Sequence, residues 1–282
     1  MRNVNRASFQ QEHLLRRQAG TRRAYVAALW LAIFGAALGR CAESLAAESS
    51  TVTRYTVQIL KTLPHDPNSF TQGLLYHQGM LYESTGLLHR STLQKIDAAT
   101  GTVLASLPVP GVFAEGLALW EDRLIQLTWQ DRHALIYHVA DFTPLGRFSY
   151  DTEGWGLTAD ERSLIMSDGT ETLYFRDPQT FLTQRTIRVT FRGAPLTYLN
   201  ELEYIDGVIY ANVWHEDFIV QISPSDGQVI GVIDARPLYQ MLPPLGEESV
   251  LNGIARNTAA RTLYLTGKHW PKFFEVTLIP VF

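Results

Sequence analysis

The sequence predicts an all-β ring, and three observations carry that expectation. A short motif ending in an aliphatic residue recurs along the chain: Thr71-Gln72-Gly73-Leu74, Ala114-Glu115-Gly116-Leu117, Gly154-Trp155-Gly156-Leu157, Leu199-Asn200-Glu201-Leu202 and Leu251-Asn252-Gly253-Ile254. A second strand-like run follows each, starting at Leu81, Leu124, Leu164, Ile209 and Leu263, or 7, 7, 7, 7 and 9 residues beyond the aliphatic residue. The last unit is one strand short, while residues 55–63 form a strand-like run with no unit of their own. Four strands per unit, five times over, is the arithmetic of a five-bladed β-propeller, with the N-terminal strand completing the last blade and closing the ring.

In chain order, residues 1–46 read as a signal peptide. They hold seven Lys/Arg against two acids, Glu12 and Glu43. The 24–39 run, AYVAALWLAIFGAALG, is shorter than the ~20 residues of a membrane span but suits a signal-peptide core. Ser44-Leu45-Ala46 resembles a cleavage site, and Thr21-Arg22-Arg23-Ala24-Tyr25-Val26 resembles a twin-arginine export signal. A general export signal and an uncleaved membrane anchor stay open beside that route. With cleavage, the expected product is periplasmic or secreted and has no stable membrane partner. Cys41, the one cysteine, falls in this leader, so neither a disulfide framework nor a cysteine-based zinc cluster is expected.

The body, residues 47–282, reads as a single domain and is expected to be monomeric. It carries 17 bases against 26 acids, a net charge of about −9 hidden behind the whole-chain value of −4. Such acidity gives no electrostatic case for binding nucleic acid. With 46% hydrophobic and 18% charged residues the chain can bury a core, which excludes a disordered protein. After each motif come further strand-like runs, with Thr100-Gly101 and Asp226-Gly227 marking hairpin turns and Asp177-Pro178 opening another. The 52-residue step before the last motif contains 235–242, which predicts a short helix stopped by Pro243-Pro244.

In a propeller the first strand of each blade lines a central channel. The equivalent motif positions are Gln72, Glu115, Trp155, Asn200 and Asn252, and the second strands end near Glu83, Ser84, Asp168, Asn212, Trp214 and Lys268. Taken singly, each of these could simply hold water beside a wet channel. As a set they predict a site at one mouth, because buried polar groups are costly unless partnered. Other constellations fail: His133 and His138 lack metal-ligand spacing, no glycine-rich phosphate loop precedes a helix, and Gly-x-Ser-x-Gly is absent. Trp120, Trp129 and Trp270 read as packing.

In order, the segments FTQGL, YESTG, FAEGL, EGWGL, SDG, LNELE, ANVW, VLNGIA and TGKHWPKFFEV resemble the plant and bacterial type of glutaminyl cyclase, over about residues 55–276. One departure is Ala114, where that family usually has glycine. The resemblance implies a five-bladed propeller closed by its N-terminal strand. It also implies cyclisation of an N-terminal glutamine of peptides or proteins to pyroglutamate, with release of ammonia. This type is unrelated to the zinc-dependent animal enzymes, so no cofactor is required, and a structural divalent cation in the channel stays open. For that reaction Glu83 is the first choice of proton shuttle and Glu201 the second. Glu115 would position the amine or join an ion site. Gln72, Asn200, Lys268 and the indole N–H of Trp155 or Trp214 are candidate oxyanion donors, the two tryptophans would wall the pocket, and Asn252 would help bind substrate. Two rival classes stand beside it: a metal-dependent hydrolase or lactonase using Glu115, Asn200 and Asn252 as ligands, and a non-catalytic peptide-binding propeller.

Overall fold

The computed structural model describes residues 52–282, and the export signal expected in 1–46 lies outside them. Strand β1 (Thr53–Pro64) is followed by β2 (Thr71–His77), β3 (Met80–Thr85), β4 (Thr92–Asp97) and β5 (Val103–Pro108), which form an antiparallel sheet in chain order. Strands β6 (Ala114–Trp120), β7 (Arg123–Thr128), β8 (His133–His138) and β9 (Pro144–Ser149) repeat that pattern. So do β10 (Leu157–Ala159), β11 (Leu164–Ser167), β12 (Thr172–Arg176) and β13 (Thr183–Arg188). A small hairpin that the sequence did not suggest, β14 (Thr190–Phe191) with β15 (Ala194–Pro195), precedes the next unit.

The remaining strands form an eight-stranded sheet. It joins β16 (Leu199–Ile205), β17 (Val208–Val213), β18 (Phe218–Ile222) and β19 (Val229–Asp234) to β20 (Leu251–Asn257), β21 (Thr262–Gly267) and β22 (Lys272–Val281) through β1. The strand left over in the sequence thus lies antiparallel along β22, from Arg54↔Val281 to Pro64↔Lys272. It touches β19 in parallel only over Thr53↔Gly231 to Thr56↔Asp234. The expected helix is α1 (Arg236–Tyr239), a single turn with proline near its start. Among the described residues no helix is long and apolar enough to cross a membrane.

Apolar layers lie between successive sheets. Leu75, Tyr82 and Leu93 pack with Leu117, Leu124 and Tyr137, and Leu74, Leu81 and Ile96 pack with Ala255, Tyr264 and Phe273, so the first sheet is covered on both faces. The motif aliphatics Leu74, Leu117, Leu157, Leu202 and Ile254 are all buried, each worth about 1.5–3 kcal/mol relative to exposure. The first strands follow one another cyclically: β2 neighbours β6 and β20, β6 neighbours β10, β10 neighbours β16, and β16 neighbours β20.

Glycine recurs in the motif because these first strands meet backbone to backbone. A Cβ on Gly73 would stand 2.5 Å from the Leu117 nitrogen, and one on Gly116 would stand 2.5 Å from the Leu157 nitrogen. Neither neighbour can yield, since both contacts are with main chain.

Candidate active site

Two local devices aim the motif side chains. The first is a register irregularity at the motif itself, between Thr71 and Gly73, Ala114 and Leu117, Leu199 and Leu202, and Leu251 and Ile254. Such bulges bend a strand and re-aim one residue. The second is a repeated backbone bond two residues before the polar position. The amides of Gly86, Trp129, Trp214 and Lys268 donate to the carbonyls of Phe70, Phe113, Tyr198 and Val250 at 2.8–2.9 Å. Each bond brings the residue just beyond a second strand beside the residue that precedes a first strand.

Glu115 lies at the centre of the resulting cluster. Its Oε1 accepts a 3.0 Å bond from Gln72 Nε2, and Gln72 Oε1 in turn accepts a 3.2 Å bond from Asn252 Nδ2, which also donates to the Thr71 carbonyl at 2.9 Å. Burial holds the Glu115 carboxyl well above the usual range, partly offset by the positive charge of Lys268 and reinforced by the negative charge of Glu153. Burial likewise brings the Lys268 ammonium down to about 8, with Glu115 and Glu248 pulling the other way. Lys268 Nζ stands 4.7 Å from the centre of the Phe70 ring.

Aromatic rings surround this cluster. Phe70 meets Phe113 edge-on at 6.0 Å and Phe113 meets Trp129 at 5.7 Å. On the other side Trp155 and Trp214 make a T-shaped pair at 5.7 Å. The two runs are tied by Glu153, whose Oε2 accepts from Trp129 Nε1 at 2.7 Å and from Trp155 Nε1 at 3.1 Å. Gly86 leaves room for a ring of the next unit and Gly169 for one of its own, since a Cβ there would press on Phe113 and on Trp155 respectively.

Other expected site residues sit elsewhere. Glu83 is fully buried; its Oε1 accepts from the Thr71 hydroxyl at 2.6 Å and lies 3.0 Å from His65 Nε2. His65 Nδ1 in turn lies 3.1 Å from the Thr266 hydroxyl, which donates to the Lys272 carbonyl. Glu83 therefore joins the first sheet to the closing strands. Glu201 replaces the motif glycine and links β16 to β2 and β20, accepting from the Leu74 amide at 3.2 Å and the Ile254 amide at 2.9 Å. Burial pushes its carboxyl well above the usual range. Ser84 accepts from Gln126 and Asn212 from the Gly253 amide, while Asp168 caps its own turn through Thr170 and Tyr174. Asn200 is buried, with Oδ1 lacking a partner, as does Asn252 Oδ1.

A family model described as glutamine cyclotransferase matches residues 32–278. The chain belongs to the glutamine cyclotransferase family. It is 40% identical over 227 residues to a glutaminyl-peptide cyclotransferase of Arabidopsis thaliana, covering 79% of this chain and 71% of that protein. The crystal structure of Myxococcus xanthus glutaminyl cyclase superposes with a TM-score of 0.78 at 38% identity, covering 82% of this chain and 100% of the other.

For a member of this family, the sequence understated the aromatic rim. Phe70, Phe113 and Glu153 went unremarked, and Trp129 read as packing. The signal was present: Phe70, Phe113, Glu153, Tyr198 and Val250 each stand two residues before a motif polar residue. Trp270 does pack, fully buried with its N–H on the Ser249 carbonyl at 3.0 Å. As for a divalent ion, the donors Glu115, Asn200 and Asn252 fit poorly. They bring one carboxylate, already bonded to Gln72, where calcium takes 6–8 oxygens. Among the described residues no three His, Cys, Asp or Glu side chains group as a metal site would require.

Proposed function

We propose that the chain cyclises N-terminal glutamine on peptides and proteins to pyroglutamate, releasing ammonia, with Glu115 as the proton shuttle. The observation that carries this reading is one buried carboxylate that accepts from Gln72 and feels the charge of Lys268, close to the ring contacts of Phe70, Phe113, Trp129, Trp155 and Trp214. Glu83 and Glu201 suit the role less, because His65 and Thr71 engage the one and two backbone amides the other.

The reaction is a ring closure. The neutral α-amine attacks the side-chain amide carbon, a C–N bond forms, and the carbonyl oxygen takes up negative charge. Glu115 accepts a proton from the attacking nitrogen and returns it to the departing one, the C–NH2 bond breaks, and ammonia leaves. A shuttle works best with its pKa near the working pH, and burial moves the Glu115 carboxyl upward from the usual carboxylate range. The Lys268 ammonium supplies charge for the oxyanion, and the Asn200 amide is a second donor. The Trp155 N–H is already given to Glu153, so that tryptophan serves as wall rather than oxyanion donor. Packed rings hold the glutamine side chain folded back on its own amine, and such positioning accounts for much of the acceleration in an intramolecular attack. Atoms and charge balance without a metal or cofactor.

The fold reading goes with this function: five blades around one axis, the last completed by β1, supported by the cyclic neighbours of the first strands. An exported, monomeric enzyme cut from its basic leader completes the proposal. The test is ammonia release from a glutamine-initiated dipeptide. Glu115→Gln should lose ~10²–10⁴ in kcat while still binding the dipeptide. Wild-type turnover in that variant would remove the shuttle, and a native protein that binds the dipeptide without releasing ammonia would favour a peptide-binding propeller.

A further inference from the structure

Glu153 is a charged residue in a row of apolar ones. Two residues before each motif polar position stand Phe70, Phe113, Tyr198 and Val250, and in the third unit Glu153 takes that place. Its Oε2 accepts both indole N–H groups, from Trp129 and Trp155, and its Oε1 accepts from Gln130 Nε2 at 3.1 Å. Trp129 belongs to the aromatic run that ends at Phe70, and Trp155 to the run that contains Trp214. One carboxylate thereby spans the two halves of the rim.

We propose that Glu153 is a positioning residue of this pocket, whose carboxylate sets both indole walls and fixes the charge against which Glu115 works. The inference rests on the reading of Glu115 as shuttle. A neutral oxygen could also accept from both indoles, so the charge itself calls for a role. Two carboxylates near each other favour keeping a proton on one of them, and Glu153 does push the Glu115 carboxyl upward. The ionisable groups facing Glu115 are Lys268, which acts oppositely, Glu153, and the Tyr150 hydroxyl, which donates to the Thr128 carbonyl. Removing the Glu153 charge therefore lowers the Glu115 pKa. Because Glu115 accepts a proton as a carboxylate, the acidic limb of kcat/KM then moves to lower pH.

The experiment compares Glu153→Gln, Glu153→Ala and Glu115→Gln by kinetics on a glutamine-initiated dipeptide across pH, and by tryptophan fluorescence and near-UV circular dichroism. Glu153→Gln keeps an oxygen for the indoles but no charge. It should shift the acidic limb down by about half to one pH unit and leave KM within about threefold of wild type. Glu153→Ala should show the same shift, a KM raised about tenfold, and altered indole signals. An unmoved limb in both variants, or unchanged indole signals and KM in Glu153→Ala, would overturn the proposal. If Glu115→Gln proves fully active, the shuttle reading falls separately, since the indole signals do not depend on it.

Discussion

Replacing Glu83 by glutamine separates a catalytic carboxylate from a structural one. The side chain is 0% exposed and His65 is 1% exposed, so no water can compensate for a lost partner. The Thr266 hydroxyl donates to the Lys272 carbonyl, which leaves its oxygen to accept from His65 Nδ1, and His65 Nε2 faces Glu83 Oε1 at 3.0 Å. Glutamine can keep the Thr71 bond through its amide oxygen. It loses the charge assistance, the difference between ~1.5–3 and ~0.5–1.5 kcal/mol per bond. It also buries an amide N–H2 where Glu83 Oε2 now has no partner, at ~1–3 kcal/mol. Together these give a loss of about 2–4 kcal/mol, overlapping the ~3–5 kcal/mol for breaking a buried pair. For a domain of this size that lowers Tm by roughly 5–15 °C. Urea unfolding followed by tryptophan fluorescence measures the loss, and ammonia release per folded molecule, well below the transition, measures catalysis. Turnover of folded Glu83→Gln should stay within about threefold of wild type. A variant as stable as wild type whose turnover falls a hundredfold would refute the reasoning and restore Glu83 as the shuttle.

Two further predictions concern pH. The Lys268 ammonium, brought down to about 8 by burial, should impose a fall in kcat as pH rises through that value. In Lys268→Arg, whose charge persists, the fall should move up by more than one unit, and Lys268→Met should cost ~10²–10³ in kcat; an unchanged alkaline profile in both would remove Lys268 from the chemistry. Glu203 is pushed up to about 7 by burial, despite bonds from the Arg256 amide at 2.9 Å and the Thr158 hydroxyl at 3.3 Å. Between the unfolded value of about 4.3 and about 7 the native chain holds a proton that the unfolded chain has released, so stability falls as pH rises. Glu203→Gln should flatten that slope in urea titrations between pH 4.5 and 7 (roughly that window), and an unaltered slope would contradict it.

The repeat was readable because it has a steric cause: first strands that meet at their backbones demand glycine, and the aliphatic residue after it must enter the core. The closing strand was readable by subtraction. The proposed proton shuttle was harder to read, since Glu83 and Glu115 look alike when strand ends are compared without a fixed offset. Counted from the start of each second strand, Trp129, Trp214 and Lys268 all fall five residues on, where a backbone bond ties each to the residue preceding a first strand. Glu83 falls two residues on, as Gln126 does in the next unit, and both side chains bond into a neighbouring sheet: Glu83 towards His65, Gln126 towards Ser84. Glu83 lies inside β3, three residues before the position just beyond the strand, so the two are aimed by different local geometry. Glu201 follows the same logic at the motif. It occupies the glycine site of the other units, where its side chain reaches β2 and β20 and meets two backbone amides. Offset within the repeat, more than residue type, separates the carboxylate we propose as shuttle from those that hold the sheets together.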